Sequence, residues 1–250
     1  MRKKDLLRYL ELAKTAATQA GIFLCSHQSA SQVIDKNMAH DLKLRADKDS
    51  ETLLIRLLQN GADFPILSEE CGAIGGLTDG LRWIVDPLDG TINYSRKVPL
   101  SCVSVGLRDG ARSVLGVIYD FNRKELFSGI VGQGAWLNGN KISVSRVPRK
   151  RDAILATGFP GKTDLSGKSI ESFARNVRVY KKPRLIGSAA LSMAYVAAGR
   201  FDAYDEKDIM LWDIAAGAAI VEAAGGKVKI KQAGHEYSYH VQACNGIFRM

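Results

Sequence analysis

Trp83-Ile84-Val85-Asp86-Pro87-Leu88-Asp89-Gly90-Thr91 is the stretch that decides how this chain is read. An apolar run suited to a buried strand ends on a carboxylate, and Pro87 reads as a turn that brings Asp89 back beside Asp86. Gly90 frees the backbone for an unusual conformation or for close approach of a ligand. Two carboxylates three residues apart at the mouth of a sheet can share hard cations, and a loop carbonyl such as that of Leu88 can join them. Asp-Pro-x-Asp-Gly is also ordinary turn chemistry, so this peptide alone does not separate the two readings.

Two further acidic features bear on that choice. Ser68-Glu69-Glu70 follows the apolar run Phe64-Pro65-Ile66-Leu67, which puts Glu69 at a strand end. Asp213 follows Trp212, where it can cap the helix Ile214-Ala215-Ala216-Gly217 and onward, close to exposed helical N–H groups. Singly, each has a plain reading, a solvated acidic pair and an N-cap. Together, carboxylates at the edges of apolar elements in a chain of net charge +9 fit an oxygen-ligand metal site better. No His or Cys cluster accompanies them, which favours Mg²⁺ or Mn²⁺ over Zn²⁺. Hard cations held by shared carboxylates suit displacement at phosphorus, because they neutralise the phosphate, lower the pKa of a bound water and hold the leaving oxygen.

Outward from this centre, residues 4–28 place apolar groups at helical spacing, and 48–59 form a second amphipathic helix. Strand-like runs follow at 64–67, 83–85, 102–107, 113–119 and 125–129, with turn signals in 108–116 and 132–145 that suggest an antiparallel sheet. The second half alternates: a strand at 154–157, a helix at 169–177, a strand at 184–186, and a helix that Ser188 caps and Gly199 stops. The sum is mixed α and β in layers, either as one domain over 1–250 or as halves 1–148 and 149–250.

Composition narrows the rest. With 46% hydrophobic and 24% charged residues in 250, the chain has the make-up of a globular protein, not of a disordered or fibrous one. No apolar run approaches the roughly 20 residues needed to span a bilayer, and no signal peptide is evident, so a cytoplasmic protein is expected. Four cysteines without a CxxC pair, three of them in apolar or small-residue settings, read as reduced packing thiols. The basic excess is thickest at 146–151 and 181–184. No aromatics interleave those stretches as a single-strand platform would need, so a solvated surface is preferred to a nucleic-acid site.

These segments resemble the inositol monophosphatase family of Mg²⁺-dependent, lithium-sensitive phosphatases. Residues 41–47, 68–70, 83–94, 134–145, 187–191 and 211–226 match its motifs in order and nearly in spacing. The resemblance implies a layered αβαβα sandwich of the sugar-phosphatase type. It implies two or three Mg²⁺ per site, with Mn²⁺ as a substitute. Glu69, Asp86 and the Leu88 carbonyl would hold the first, Asp86, Asp89 and Asp213 the second, and a third would lie near Glu69. Asp47 and Thr91 would pair to orient the attacking water, and Gly90 and Thr91 would offer backbone N–H groups to the phosphate. Gly187, Ser188, Ala189 and Glu206 would face the alcohol, with Glu206 accepting hydroxyl bonds; its alternative is a surface carboxylate in Asp205-Glu206-Lys207-Asp208.

Some positions depart from the family pattern. Leu44 stands where Thr is usual, Ser68 where Gly is common, Ile92 where a second Thr or Ser is frequent, and Met210 where several members carry His or Arg. The expected function is hydrolysis of a small polyol or sugar phosphate by a homodimeric enzyme, without a covalent intermediate. Alternatives within the family are a 3′(2′),5′-bisphosphate nucleotidase, a fructose-1,6-bisphosphatase or a histidinol phosphatase. A basic nucleic-acid-binding or non-catalytic protein is the reading from another class.

Overall fold

The longest apolar runs of the sequence become the centre of a sheet buried on both faces. The computed structural model describes residues 3–28, 34–38, 41–76, 80–159 and 166–249. In chain order the first half holds α1 (Lys3–His27), β1 (Ile34–Met38), β2 (Asp41–Leu44), α2 (Arg45–Gly61), β3 (Ile66–Ser68), β4 (Gly72–Ile74), β5 (Leu81–Asp89) and α3 (Thr91–Ser95). Strands β6 (Cys102–Asp109), β7 (Arg112–Asp120), β8 (Glu125–Ile130), β9 (Gly134–Leu137) and β10 (Asn140–Ile142) complete it. After a 3₁₀ turn at Lys150–Asp152 come β11 (Ile154–Ala156), α4 (Gly167–Val177), β12 (Lys182–Arg184) and α5 (Ala189–Ala197). The chain closes with β13 (Ala203–Met210), α6 (Leu211–Ala223), β14 (Lys227–Gln232) and β15 (Ser238–Cys244).

The eight-stranded sheet runs β10-β9-β8-β7-β6-β5-β3-β4, antiparallel except where β3 lies parallel to β5. A five-stranded sheet runs β12-β11-β13-β15-β14, with β11 parallel to both neighbours. Helix α1 lays Leu10, Ala13, Ala17, Ala20 and Leu24 on Val103, Val105 and Val117 of the first sheet, and α2 joins that face. On the opposite face α5 and α6 fill the space between the two sheets. Outermost, α4 touches the second sheet through Val177. The layers are therefore αβαβα, as the resemblance implies.

Close approach in the middle layer depends on missing side chains. A Cβ on Gly116 would stand 2.1 Å from the Ala216 carbonyl oxygen, and one on Gly106 2.9 Å from the Ala216 nitrogen. These glycines let α6 ride directly on the β6–β7 backbone, which carries its N-terminus to the end of β5.

Several sequence expectations are adjusted. The strand expected at 184–186 is Lys182–Arg184. Strands β1, β2, β4, β13, β14 and β15 carry no separate expectation from the sequence. Cys25 and Cys71 are exposed and only Cys102 and Cys244 are buried, so half of the thiols pack in the interior. Among the described residues no helix is long and apolar enough to cross a membrane.

Candidate active site

Pro87 does not turn the chain. Strand β5 continues through it to Asp89, and the pairing with β6 shifts: Asp86 faces Ser104 while Asp89 faces Cys102. Two residues of β5, Pro87 and Leu88, thus stand opposite one of β6, Val103. In a regular strand, positions three apart point to opposite faces; this bulge returns Asp86 and Asp89 to the same face. Pro87 is tolerated there because a bulge interrupts the ladder bond that it cannot donate. The Asp86 Oδ1 accepts from the Leu88 N–H at 2.9 Å, and the Thr91 hydroxyl donates to the Leu88 carbonyl at 3.0 Å. Gly90 then takes φ 86°, and a Cβ there would lie 2.7 Å from the Leu100 carbonyl oxygen, so only glycine fits.

Glu69, Asp86 and Asp213 each offer an oxygen, and these atoms lie within 4.8 Å of one another. Glu69 follows β3, on a turn anchored by the buried Glu51 of α2. Glu51 Oε1 accepts a short bond from the Ser68 hydroxyl and bonds from the N–H groups of Glu70 (3.1 Å) and Cys71 (3.2 Å). Ser68 is therefore part of that anchor. Asp213 is the third residue of α6, not its N-cap as expected, and its Oδ2 accepts from the Met210 N–H at 3.1 Å. Asp47 repeats the arrangement at the third residue of α2, accepting from the Leu44 N–H at 2.6 Å. Both caps are half of a capping box: the acid serves the N-cap backbone, while Leu44 and Met210 have no side-chain acceptor to return. Of the two residues expected to pair, Asp47 accepts from the Leu44 N–H and Thr91 donates to the Leu88 carbonyl.

Asp89, whose charge acts on Asp86 and Asp213, is held by a different element. Its Oδ2 accepts from the Ser188 hydroxyl and, at 2.8 Å, from the Ala190 N–H at the start of α5. Ser188 also caps α5 by accepting from the Leu191 N–H at 3.2 Å. Ala189 is buried beside it, while Gly187 is exposed, with φ 69°. Asn93, which sequence reasoning missed, donates from Nδ2 to the carbonyls of Leu100 (2.8 Å), Ile186 (2.8 Å) and Gly187 (3.2 Å). It ties the turn after β5 to the segment that leads into α5.

Burial and repulsion act together on these acids. Burial, then the charges of Glu69, Asp89 and Asp213, push the Asp86 carboxyl well above the ordinary carboxylate range. Burial, Glu69 and Asp89 do the same to Asp213. Burial raises Asp89 too, opposed by its bonds from Ser188 and Ala190. Cys102, whose thiol points to Asp89 Oδ2 at 3.7 Å, is driven well up by burial and by that charge, and stays a thiol. Crowded hard oxygen donors that repel one another are what a divalent cation relieves, so this donor set fits Mg²⁺ or Mn²⁺.

Glu206 is not a surface carboxylate. It is 9% exposed on β13, accepts from the Tyr204 hydroxyl at 2.8 Å and lies against Gly158. Burial, with the Asp89 charge adding to it, lifts its carboxyl to about 7. A second bulge opens here, because Glu206 faces Val241 while Ile209 faces Tyr239.

A profile of the inositol monophosphatase family matches residues 5–243. The Nus factor SuhB of Pasteurella multocida is 37% identical over 235 residues, covering 91% of this chain and 87% of that protein. An inositol-1-monophosphatase of Synechocystis is 36% identical over 227 residues, covering 90% and 79%. In three dimensions the inositol monophosphatase of Anabaena superposes with a TM-score of 0.84 at 34% identity, covering 97% of this chain and 92% of the other.

Proposed function

The chain belongs to the inositol monophosphatase family, and from that premise we propose that it is a Mg²⁺-dependent phosphomonoesterase acting on a small polyol or sugar phosphate through direct attack by water. The observation that carries this reading is the convergence of Glu69, Asp86 and Asp213 within 4.8 Å, at the bulge that also presents Asp89. We assign Glu69, Asp86 and the Leu88 carbonyl to one cation, and Asp86, Asp89 and Asp213 to a second. A third would sit near Glu69. When bound, such ions supply positive charge to the phosphate and acidify a coordinated water.

The chain's own groups do the positioning. Asp47, held rigid at the start of α2, and Thr91, anchored on the Leu88 carbonyl, orient the attacking water. The left-handed turn at Gly90 directs the backbone N–H groups of Gly90 and Thr91 to the phosphate oxygens. Gly187, Ser188 and Ala189 line the approach of the alcohol. Glu206 accepts a hydroxyl hydrogen bond from it, and its burial beside the Asp89 charge disfavours a substrate with a second phosphate there. Cys102 is too strongly protonated to serve as a nucleophile, which agrees with a route lacking a covalent intermediate.

The test is phosphate release from inositol-1-phosphate, fructose-1,6-bisphosphate, 3′-phosphoadenosine 5′-phosphate and histidinol phosphate, with and without Mg²⁺. Preference for the inositol ester, lost on chelation and in Asp86→Asn, is the expected result. Mg²⁺-independent release, or release that survives Asp86→Asn, would overturn it.

A second reading, that the chain also engages a nucleic-acid-containing partner, is favoured by one feature. Exposed Arg146, Arg149 and Arg151 adjoin Lys181, Lys182 and Arg184, because the Lys181 N–H bonds the Ala153 carbonyl at 2.9 Å. RNA binding that weakens steeply with salt, and is lost when Arg151 and Lys182 are changed to Glu, would support it.

A further inference from the structure

Away from the carboxylates, two arginines lie buried side by side without a counter-charge. Arg82 of β5 and Arg108 of β6 are directly opposite each other in the ladder. Their neighbours Trp83 and Leu107 pack under α1 and α2, so by strand alternation both arginines point the other way, into the layer between the two sheets. Arg108 is 5% exposed, and its Nε and Nη1 have no hydrogen-bond partner; the Arg82 Nε has none either. Each head is held by a carbonyl of one turn: Arg82 Nη2 donates to Gly110 at 3.2 Å, and Arg108 Nη2 donates to Ala111. From the second sheet the Tyr239 hydroxyl reaches Arg108, and Tyr237 lies within the field of Arg82.

Among the described residues neither guanidinium forms an ion pair. Asp109, the next residue on β6, is exposed and points to the opposite face, while Glu236 bonds the Tyr237 hydroxyl. Like charges directly opposite in a sheet repel, and a buried guanidinium without an acid loses its water uncompensated. Burial and Arg82 accordingly pull Arg108 below its ordinary range. Tyr237 adds strain, since it is held at φ 59°, a conformation that a bulky side chain enters only at a cost. A small anion would answer these features together: it would neutralise the pair, take up the spare N–H groups and accept the Tyr239 hydroxyl. Guanidinium forks suit oxyanions, and two of them match two negative charges.

We propose that Arg82 and Arg108, with the Tyr239 hydroxyl, bind a small doubly charged oxyanion of the phosphate or sulfate class between the first sheet and β15. The site is not the carboxylate site, because Arg82 stands four residues before Asp86 on β5, roughly 13 Å along the strand. It adjoins that site through α6, since the Leu211 N–H donates to the Tyr237 carbonyl at 2.9 Å and Asp213 follows on the same turn. The ion would tie β15 and the start of α6 to the first sheet. The proposal stands independently of the phosphatase reading.

The experiment is thermal melting with added sulfate, at ionic strength held constant by NaCl, on the Mg²⁺-loaded protein and again after chelation. Phosphate replaces sulfate in a second series on the chelated protein. For the wild type we expect a saturable rise of about 3 °C or more by ~10 mM sulfate. Arg82→Gln should lose that rise, and the part it loses should be the same with and without Mg²⁺. Without sulfate Arg82→Gln should melt no lower than the wild type, because it relieves the repulsion, so the two curves cross as sulfate is added.

Arg82→Lys keeps the charge without the fork, and should need a several-fold higher sulfate concentration for half the effect. No rise in the wild type overturns the proposal. So does an equal rise in Arg82→Gln, which is what an excluded solute produces at any surface. An Arg82→Gln variant that melts lower without sulfate would mean that the arginine already has its counter-charge, and also overturns it. Should that variant fail to fold, a half-effect concentration in Arg82→Lys equal to that of the wild type overturns it instead.

Discussion

The two helices on either side of the second sheet are built on opposite terms. Every residue of α5 is buried, its cap is satisfied by Ser188, and its first N–H groups grip Asp89. Helix α4 has no buried residue and meets the fold through one amphipathic face. The same contrast separates the strands: β5 is buried from Trp83 to Asp89, whereas β12 is exposed throughout. The carboxylates assigned to chemistry, and Ser188 with Ala189 beside them, sit on elements that cannot shift without breaking a core, whereas the side chains of α4 and β12 can change at little cost.

The largest test of this contrast is Asp86→Asn. Activity should fall by about 10³-fold or more, since losing a shared ligand removes several kcal/mol of transition-state stabilisation. Metal-free stability should move the other way. A carboxyl whose folded pKa is raised holds a proton that the unfolded chain releases, so the folded state loses stability as pH rises through that window. We expect thermal melts in chelator to show the wild type falling with rising pH and Asp86→Asn falling less. A melting temperature lowered in the variant at pH 8 would contradict the repulsion argument.

Next is Gly90→Ala. A Cβ 2.7 Å from the Leu100 carbonyl, at φ 86°, must displace the turn that carries Thr91. The expected cost is about 1–3 kcal/mol of stability and ~10²-fold in kcat. Full activity with only a lower melting temperature would mean that the turn does not position the phosphate.

Glu206→Gln should act more mildly, through substrate binding. Glu206 titrates at about 7, so its acceptor strength rises with pH; the wild-type KM for a polyol phosphate should fall between pH 6 and 8, and the variant should flatten that dependence. Its stability effect follows the same sign as Asp86. The raised carboxyl costs the folded state up to about 3 kcal/mol above pH 7 and little near pH 4, so Glu206→Gln should gain melting temperature relative to wild type as pH rises. A KM profile shared by both proteins would remove Glu206 from the substrate's path.

Smallest of all should be Ile170→Ser on α4. Ile170 is 48% exposed, so the expected change is within about 0.5 kcal/mol by denaturant unfolding. A loss several times larger would show that α4 is covered by something and would erase the contrast between the helices.

Much of this was legible beforehand where the signal was local. Helix α1 and the strands β6, β7 and β8 announce themselves by periodicity or by apolar runs that only a doubly covered sheet accommodates. Ser188 and Gly199 mark the ends of α5 through their own capping chemistry. What was missed depends on partners. Glu206 is expected to face the substrate only through the resemblance, with a charged surface at Asp205-Glu206-Lys207-Asp208 as the alternative. That a strand here pairs with β15, shifts between Glu206 and Ile209 and buries Glu206 has no signal in the residues. Strand β14 does alternate, Lys227, Lys229 and Lys231 against Val228 and Ile230, a period-two signal that was available. Glu51 and Asn93 carried no signal, because each acts through backbone groups far along the chain.

The family, the layered fold and the residue types of the carboxylate cluster are legible in the chain alone, because short motifs on strand and helix ends carry their chemistry within a few residues. How those residues meet is set by the folded arrangement. The bulge at Asp86–Asp89, the grip of α5 on Asp89, and the placing of Asp47 and Asp213 at the third position of their helices depend on register and on backbone donors contributed by other segments. Register is a property of paired strands, and a cap is a property of two elements meeting. Neither is written in any one stretch of chain.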